Sequence, residues 1–462
     1  MEQRKRWIAA AFVAVLALAA RAAATERPNV VMISIDTLRA DHLSCYGYDR
    51  PTSPVIDRLA REGTLFTNAQ SASSWTTPSH MTMMTGLRPS SHGVDRPGRR
   101  LGAEHETLAE AFRAAGYDTA AFVGGPTLSS AFGFDRGFGR YDNLMGLPDY
   151  AKRNVGGPLL PIDVLERSHA AKPGVAVANS ARNWIAEDAR APFFVFVHLW
   201  DPHYDYCPRP PFDRLFDADY AGTFDFRNVE QNPAVEAHMA DADRERLVAL
   251  YDEEIAATDA LVGDLLETLT ALHLDENTIV VLTSDHGEEF FEHRGKGHLQ
   301  TLYQEIVHVP LVFRYPGHVP AGRRQDALFG PVHLMPTILG LAGITPPPGL
   351  QGHDMSAVVE GAAPPDDLWA FSEVTHAHAD PIELVRIGHI AMMSDRDTIL
   401  PPLVFNLLTD PGERRAHEGS VAKTRIFRSY VERAIGPSAA EPVTGELDPG
   451  TLAQLKALGY VR

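Results

Sequence analysis

Three apolar, β-branched runs, each closing on acidic or imidazole side chains, constrain this chain more than any other feature. Residues 28–36 read Pro-Asn-Val-Val-Met-Ile-Ser-Ile-Asp and end in Asp36. Residues 278–286, Thr-Ile-Val-Val-Leu-Thr-Ser-Asp-His, end in Asp285 and His286, and the run from Pro192 to Trp200 leads into Asp201-Pro202-His203. Near-continuous apolar runs of this length are strands buried on both faces of a parallel sheet. In such sheets ligands bind beyond the carboxyl ends of the strands. Three strands that each deliver Asp or His to that edge predict a site there.

A fourth stretch supplies a nucleophile. Thr76 stands just ahead of Pro78 in a short run that closes at Gly86. Proline is tolerated in the first helical turn and glycine commonly ends a helix. Thr76 is therefore predicted at a helix N-terminus, where free N–H groups and the helix dipole favour an anion.

In this order and spacing the motifs resemble the sulfatases and the wider alkaline phosphatase superfamily. The resemblance is carried by Asp36-Thr-Leu-Arg-Ala-Asp-His-Leu-Ser-Cys-Tyr-Gly47, by Thr76-Thr-Pro-Ser-His80 with Thr85-Gly86, and by Thr283-Ser-Asp-His-Gly-Glu288. Gly297-His298, Tyr303-Gln-Glu305, Val309-Pro-Leu-Val-Phe-Arg-Tyr-Pro-Gly317, Leu334-Met-Pro-Thr-Ile-Leu339 and the turn Asp410-Pro-Gly-Glu413 extend it. It implies an α/β fold: an alkaline-phosphatase-like sandwich with a mostly parallel central sheet between helices, plus a small C-terminal α+β subdomain.

The departures from that family are chemical. Sulfatases carry Cys or Ser at the position of Thr76, which is matured to formylglycine; threonine is not a known substrate for that step, so no formylglycine is expected. The signature arginine is His80 here, the second aspartate of the usual pair is Thr37, and Val123-Gly-Gly-Pro-Thr127 replaces a lysine-bearing stretch. Superfamily members with a threonine nucleophile mostly act on phosphate esters. The resemblance therefore implies phosphoric mono- or diester hydrolysis ahead of sulfuric ester hydrolysis on a glycan or small molecule. A decayed, non-catalytic binding protein on the same fold is the third reading.

An unactivated hydroxyl is a poor nucleophile at neutral pH, and a divalent cation can hold it deprotonated. Asp36, Asp285 and His286 are expected to hold that ion, with Thr76 completing the shell. A mixed Asp/His set suits zinc or manganese better than calcium, which remains an option. Asp201, His203 and His298 form a second candidate metal set. Alternatively, His203 and His298 assist the leaving group. His80 is a candidate substrate contact.

Residues 1–24 join a basic start (Arg4, Lys5, Arg6) to an apolar core and Ala22-Ala-Ala24, the pattern of a secretory signal peptide. The expectation is a periplasmic or secreted protein with no stable membrane span after signal removal; the alternative is an N-terminal anchor. A net charge of −18 argues against nucleic acid and anionic membranes as partners. The expected partner is an anionic ester of a glycan, a lipid head group or a small molecule. Two cysteines, Cys45 and Cys207, imply no disulfide framework. Domain limits are read as 28–345 for the catalytic unit and 346–462 for the small subdomain, divided at the proline cluster after Gly343. Helices are expected over Ser53–Glu62, Glu106–Ala115 and Glu254–Leu272, and beyond the linker over Arg425–Ala434 and Asp448–Leu458. Strands are expected over Leu368–Val374, Leu384–Met393 and Leu403–Leu408. Residues 144–175 and 205–245 lack periodicity and read as insertions that border the site.

Overall fold

The computed structural model describes residues 27–144, 173–203, 205–224, 226, 229, 232–375, 381–396, 398, 400–435, 443–444 and 447–457. The leader 1–24 and most of 144–175 lie outside the described residues.

The apolar runs form the strands expected of them. The main sheet comprises β1 (Asn29–Ile35), β2 (Thr64–Ala69), β3 (Asp118–Val123), β4 (Arg140–Asn143), β5 (Phe193–Leu199), β6 (Thr278–Ser284), β7 (Leu311–Arg314) and β8 (Arg323–Phe329). Their order is β8-β2-β7-β6-β1-β5-β3-β4, and only β7 runs antiparallel to its neighbours. Every residue of β1, β5 and β6 is buried, because helices cover both faces.

Period-two alternation divides the core. Val30 and Met32 face a layer containing Met81, Met84, Phe112 and Leu339. Val31, Ile33 and Ile35 face the opposite layer with Leu59, Val177, Tyr251 and Leu261. The first layer takes α2 (Thr76–Thr85) and α3 (Leu108–Ala114); the second takes α1 (Pro54–Glu62), α4 (Gly174–Asn183) and α5 (Asp241–Ala271).

Helix α5 corrects the sequence expectation, beginning at Asp241 rather than Glu254. Its first turns are polar, and then the buried acids Asp252, Glu253 and Glu254 interrupt the apolar pattern. Each acid finds partners: Asp252 in His42, Tyr48 and Arg50, Glu253 through one oxygen in Arg246 and the Phe216 N–H, and Glu254 in the Cys207 N–H. Two of these bonds pin the 205–245 insertion to the helix.

Asp259, one turn further, caps α1 from outside. The Ser53 side chain makes no capping bond; Asp259 instead accepts the Val55 N–H at 2.9 Å and the Ile56 N–H at 2.8 Å. Asp259→Ala is expected to cost about 1–2 kcal/mol, the usual value of a lost cap. Burial pushes this carboxyl up to about 7. The folded state thus keeps a proton that the unfolded chain releases above about pH 4, and stability from this group declines as pH rises toward 7. Urea titrations at pH 5 and 7.5 should show a smaller decline in Asp259→Asn than in wild type.

The C-terminal sheet is antiparallel throughout, ordered β9 (Trp369–Val374), β10 (Ile382–Ile387), β11 (Ile390–Asp395), β12 (Leu403–Asn406) and β13 (His417–Glu418). The expected single strand Leu384–Met393 is therefore a hairpin, turning at Gly388 with φ 56°. Helix α6 (Val421–Ile435) buries Phe427, Val431 and Ala434 against this sheet. Strand β9 docks on the segment leading to Thr76: Gln70 Nε2 donates to Ser372 Oγ at 2.9 Å, and the Glu373 N–H to Ala72 O at 2.9 Å. Past the proline cluster, Met355, Val358 and Val359 still pack in the first core layer.

Candidate active site

Parallel pairing in register brings the strand ends together. Ser34 faces His198 on one side and Thr283 on the other, and Ile35 faces Leu199 and Ser284. Asp36 follows at once, with its N–H held by Leu199 O at 2.9 Å. Thr37 adopts φ 56°, a left-handed conformation that β-branched residues rarely take. The strain is held by Tyr251, whose hydroxyl donates to Thr37 O at 2.7 Å, and by the Thr37 N–H donating to Asp285 Oδ1 at 3.2 Å.

Thr76 opens α2 as expected. Trp75 is the N-cap residue and supplies no side-chain cap; Gly86 closes the helix at φ 63°. Thr76 Oγ1 lies 3.4 Å from Asp36 Oδ2 and 3.4 Å from His286 Nε2. His286 Nε2 in turn lies 3.3 Å from Asp285 Oδ2 and 3.9 Å from Asp36 Oδ1. All four side chains are fully buried.

Asp36, Asp285 and His286 form the one group of three among the described residues whose ligand atoms all lie within 4.8 Å of one another. Asp36 Oδ1 and Asp285 Oδ2 are buried without a hydrogen-bond partner. Buried carboxylate oxygens normally have one, so the pair asks for a cation. His286 Nδ1 sits 2.9 Å from Gly287 O, which fixes that nitrogen as the donor and leaves the Nε2 lone pair facing the carboxylates. The donor set fits a divalent ion.

The electrostatics agree. Burial, reinforced by Asp285, holds the Asp36 carboxyl well above its ordinary range. Burial acts on Asp285 in the same direction, but His286, His80 and His198 outweigh it and keep that carboxyl low. Two carboxylates in one dry pocket ionise together only beside positive charge.

His80 lies beneath Thr76. Its Nδ1 is 3.0 Å from Thr76 O and 3.5 Å from Asp285 Oδ2, and its Nε2 is 2.9 Å from Ser34 Oγ. Burial lowers it to about 3, so it is neutral and supplies no cation in place of the arginine.

Asp201, His203 and His298 do not make a second group of metal ligands among the described residues. His203 stacks on Trp200 with centroids 4.1 Å apart, and its ring is 5.0 Å from that of His298. His298 is 4.5 Å from the His286 ring and pairs through Nδ1 with Glu288 Oε1 at 2.8 Å. The Asp201 carboxylate lies against Gly174, where a Cβ would come within 2.3 Å of Asp201 Oδ2.

Two site residues escaped sequence reasoning. His198 Nε2 lies 3.3 Å from Asp36 Oδ2, while its Nδ1 meets Gly124 O at 2.7 Å. Burial lowers it to about 4. In sequence it is one polar residue inside an apolar run, and only its parallel register with Ser34 marks it. Glu288, pushed up to about 8 by burial, sits two residues beyond His286 and had been read only as part of a motif. In the Val123–Thr127 stretch, the Trp200 ring covers Gly125, where a Cβ would come within 2.2 Å of it.

The Sulfatase family model matches residues 28–344, most of the chain and every strand of the main sheet. The chain belongs to the sulfatase family. It is 30% identical over 352 residues to an ulvan-active sulfatase of Formosa agariphila, covering 74% of this chain and 66% of that relative's length. Human arylsulfatase A is 28% identical over 475 residues, covering 88% of this chain and 86% of its own. Among solved structures, the phosphonate monoester hydrolase of Agrobacterium radiobacter superposes with a TM-score of 0.69 at 22% identity, covering 91% of this chain and 100% of its own. A sulfatase-like structure from Bacteroides thetaiotaomicron gives 0.71 at 20%, covering 92% and 96%. These structural likenesses establish the sulfatase fold. No helix among the described residues is long and apolar enough to cross a membrane.

Proposed function

We propose that this sulfatase-family chain is an exported, metal-dependent hydrolase of phosphoric or sulfuric esters, with phosphoric esters favoured and Thr76 as nucleophile. The observation that carries the proposal is the equal 3.4 Å separation of Thr76 Oγ1 from Asp36 Oδ2 and His286 Nε2. Asp36, Asp285 and His286 would hold the ion, for which zinc or manganese suits a mixed carboxylate–imidazole set better than calcium. When bound, such an ion would lower the pKa of a nearby hydroxyl and offset the charge of the ester oxygens.

The remaining work falls to the chain. The start of α2 directs its dipole at an incoming anion. His80 fixes the Thr76 carbonyl and so sets the direction of the hydroxyl. Thr76, its proton lost to solvent, attacks phosphorus; the bond to the ester oxygen breaks as that oxygen takes a proton from His298 or His203; water, returning a proton to the same histidine, then cleaves the phosphothreonine and Thr76 regains its proton. Glu288 steadies His298 through its Nδ1.

Phosphorus is favoured for a physical reason. A sulfothreonine lacks the elimination that a formylglycine hydrate allows, whereas a phosphothreonine is open to attack by water. Neutral His80 and the indole over Gly125 also remove cations that grip sulfate in the family's usual site. The sulfuric reading is supported by the relatives, whose names are those of sulfatases. Hydrolysis rates on nitrophenyl phosphate, bis-nitrophenyl phosphate and nitrophenyl sulfate, with zinc, manganese or calcium added in turn, separate the two. A sulfate rate above both phosphate rates in the unmodified protein reverses the preference; purified protein devoid of divalent metal returns the chain to the decayed, binding-only reading.

A further inference from the structure

Glu288 and His298 stand at the base of a small hairpin. Its ladder has two pairs, Glu289 with Gly297 and Phe290 with Lys296, and the next pair toward the site is Glu288 and His298 themselves. Two ladder pairs do not hold a hairpin in water. Other contacts must fix it.

Several of those contacts come from distant chain. At the tip, His293 places Nδ1 2.6 Å from Glu305 Oε1 and Nε2 3.2 Å from the backbone oxygen of Glu413. Both partners are acceptors, so the ring donates from both nitrogens and is positively charged. Glu305 is the principal cause of a raised His293 basicity, against the opposing effects of burial and Arg414. Tyr303 stacks flat on the imidazole at 3.5 Å and 7°. Glu289 gathers the His293 N–H at 2.9 Å and the Gly295 N–H at 2.7 Å.

The Asp410–Arg414 turn completes the grip. Glu413 is 3% exposed and adopts φ 50°, an uncommon conformation for glutamate. Its Oε2 accepts the Gln304 N–H at 2.8 Å, and Arg414 donates to the Glu292 carbonyl. From the other side Lys296 Nζ donates to the carbonyls of Asn232 and Val235 at 2.7 and 2.8 Å.

We infer that His293 and Glu413 are positioning residues, and that the C-terminal turn acts through them to hold the Glu288–His298 pair at the reaction centre. The inference rests on the reading of His298 as an acid for the departing alkoxide. Neither residue touches substrate; each fixes where His298 stands.

The test is leaving-group dependence in the full-length, metal-loaded protein. His293→Ala and Glu413→Ala should lower kcat on an alkyl phosphodiester by about 10–100-fold, the effect of a misplacement near 1 Å. On the nitrophenyl diester, whose leaving group needs no proton, the loss should stay within about 3-fold. Glu413→Gln keeps an oxygen for the Gln304 N–H and should behave as wild type. Hydrogen exchange of amides 288–298 should quicken in both alanine variants. Equal losses on the two esters, or no loss, would overturn the assignment. So would unchanged exchange at 288–298, even if wild type turned over neither ester; that last result, beside quickened exchange, would sink the hydrolase reading and leave the clamp standing.

Discussion

Thr76→Ala is expected to lower kcat about 10⁴-fold or more on every ester the wild type hydrolyses, while the protein stays folded. The side chain is fully buried, yet it makes only long contacts to Asp36 and His286, so its removal leaves little unsatisfied. The dipole of α2 and the proposed ligands Asp36, Asp285 and His286 remain. The variant should therefore keep its metal and bind ester while failing to turn it over. Thr76→Ser retains the oxygen and should keep at least about a tenth of wild-type kcat, because only a methyl group is lost. Steady-state rates with metal content by atomic emission and far-UV dichroism check each point. Undiminished turnover by the alanine variant would remove Thr76 from the chemistry.

Asp285→Asn has a similar expected effect by another route. Asp285 divides its work between two oxygens. Oδ1 accepts the Thr37 and His286 N–H groups at 3.2 and 2.9 Å, and Oδ2 faces the site. Asparagine can keep the first role and loses the charge of the second. The fold should survive while metal affinity falls about 100-fold or more and kcat about 10³-fold. Since an ion bound only by the folded state at a thousand times its Kd adds about 4 kcal/mol, chelation should lower the Tm of wild type toward that of the variant. A variant Tm that still drops on chelation, or a metal content equal to wild type, would place the ion elsewhere.

The clearest signals in the sequence were those read by local rules. Unbroken apolar runs marked β1, β5 and β6, because strands covered on both faces have no polar side to display. Pro78 and Gly86 marked the ends of α2, because each does in sequence what it does in structure. Asp36, Asp285 and His286 were legible because a parallel sheet delivers strand ends to one edge.

Other features were not legible, for stated reasons. Helix α5 began 13 residues before the expected start, since its buried acids find partners in loops far along the chain. The hairpin at Gly388 was missed because apolar residues flank the Gly388-His389 turn closely on both sides. His198 looked like an impurity in a strand, and Asp201, His203 and His298, though evenly suggestive in sequence, are not gathered as a metal-ligand group among the described residues.

The sequence by itself determined the kind of sheet, the edge where its strands deliver Asp and His, and the placement of Thr76 at a helix start, since each follows from residues close together or from a period. Tertiary structure alone decided which carboxylates meet, which histidines stay neutral, and what steadies His298. Those outcomes depend on burial and on partners more than a hundred residues away, such as Glu413 beside His293, and no local pattern encodes them.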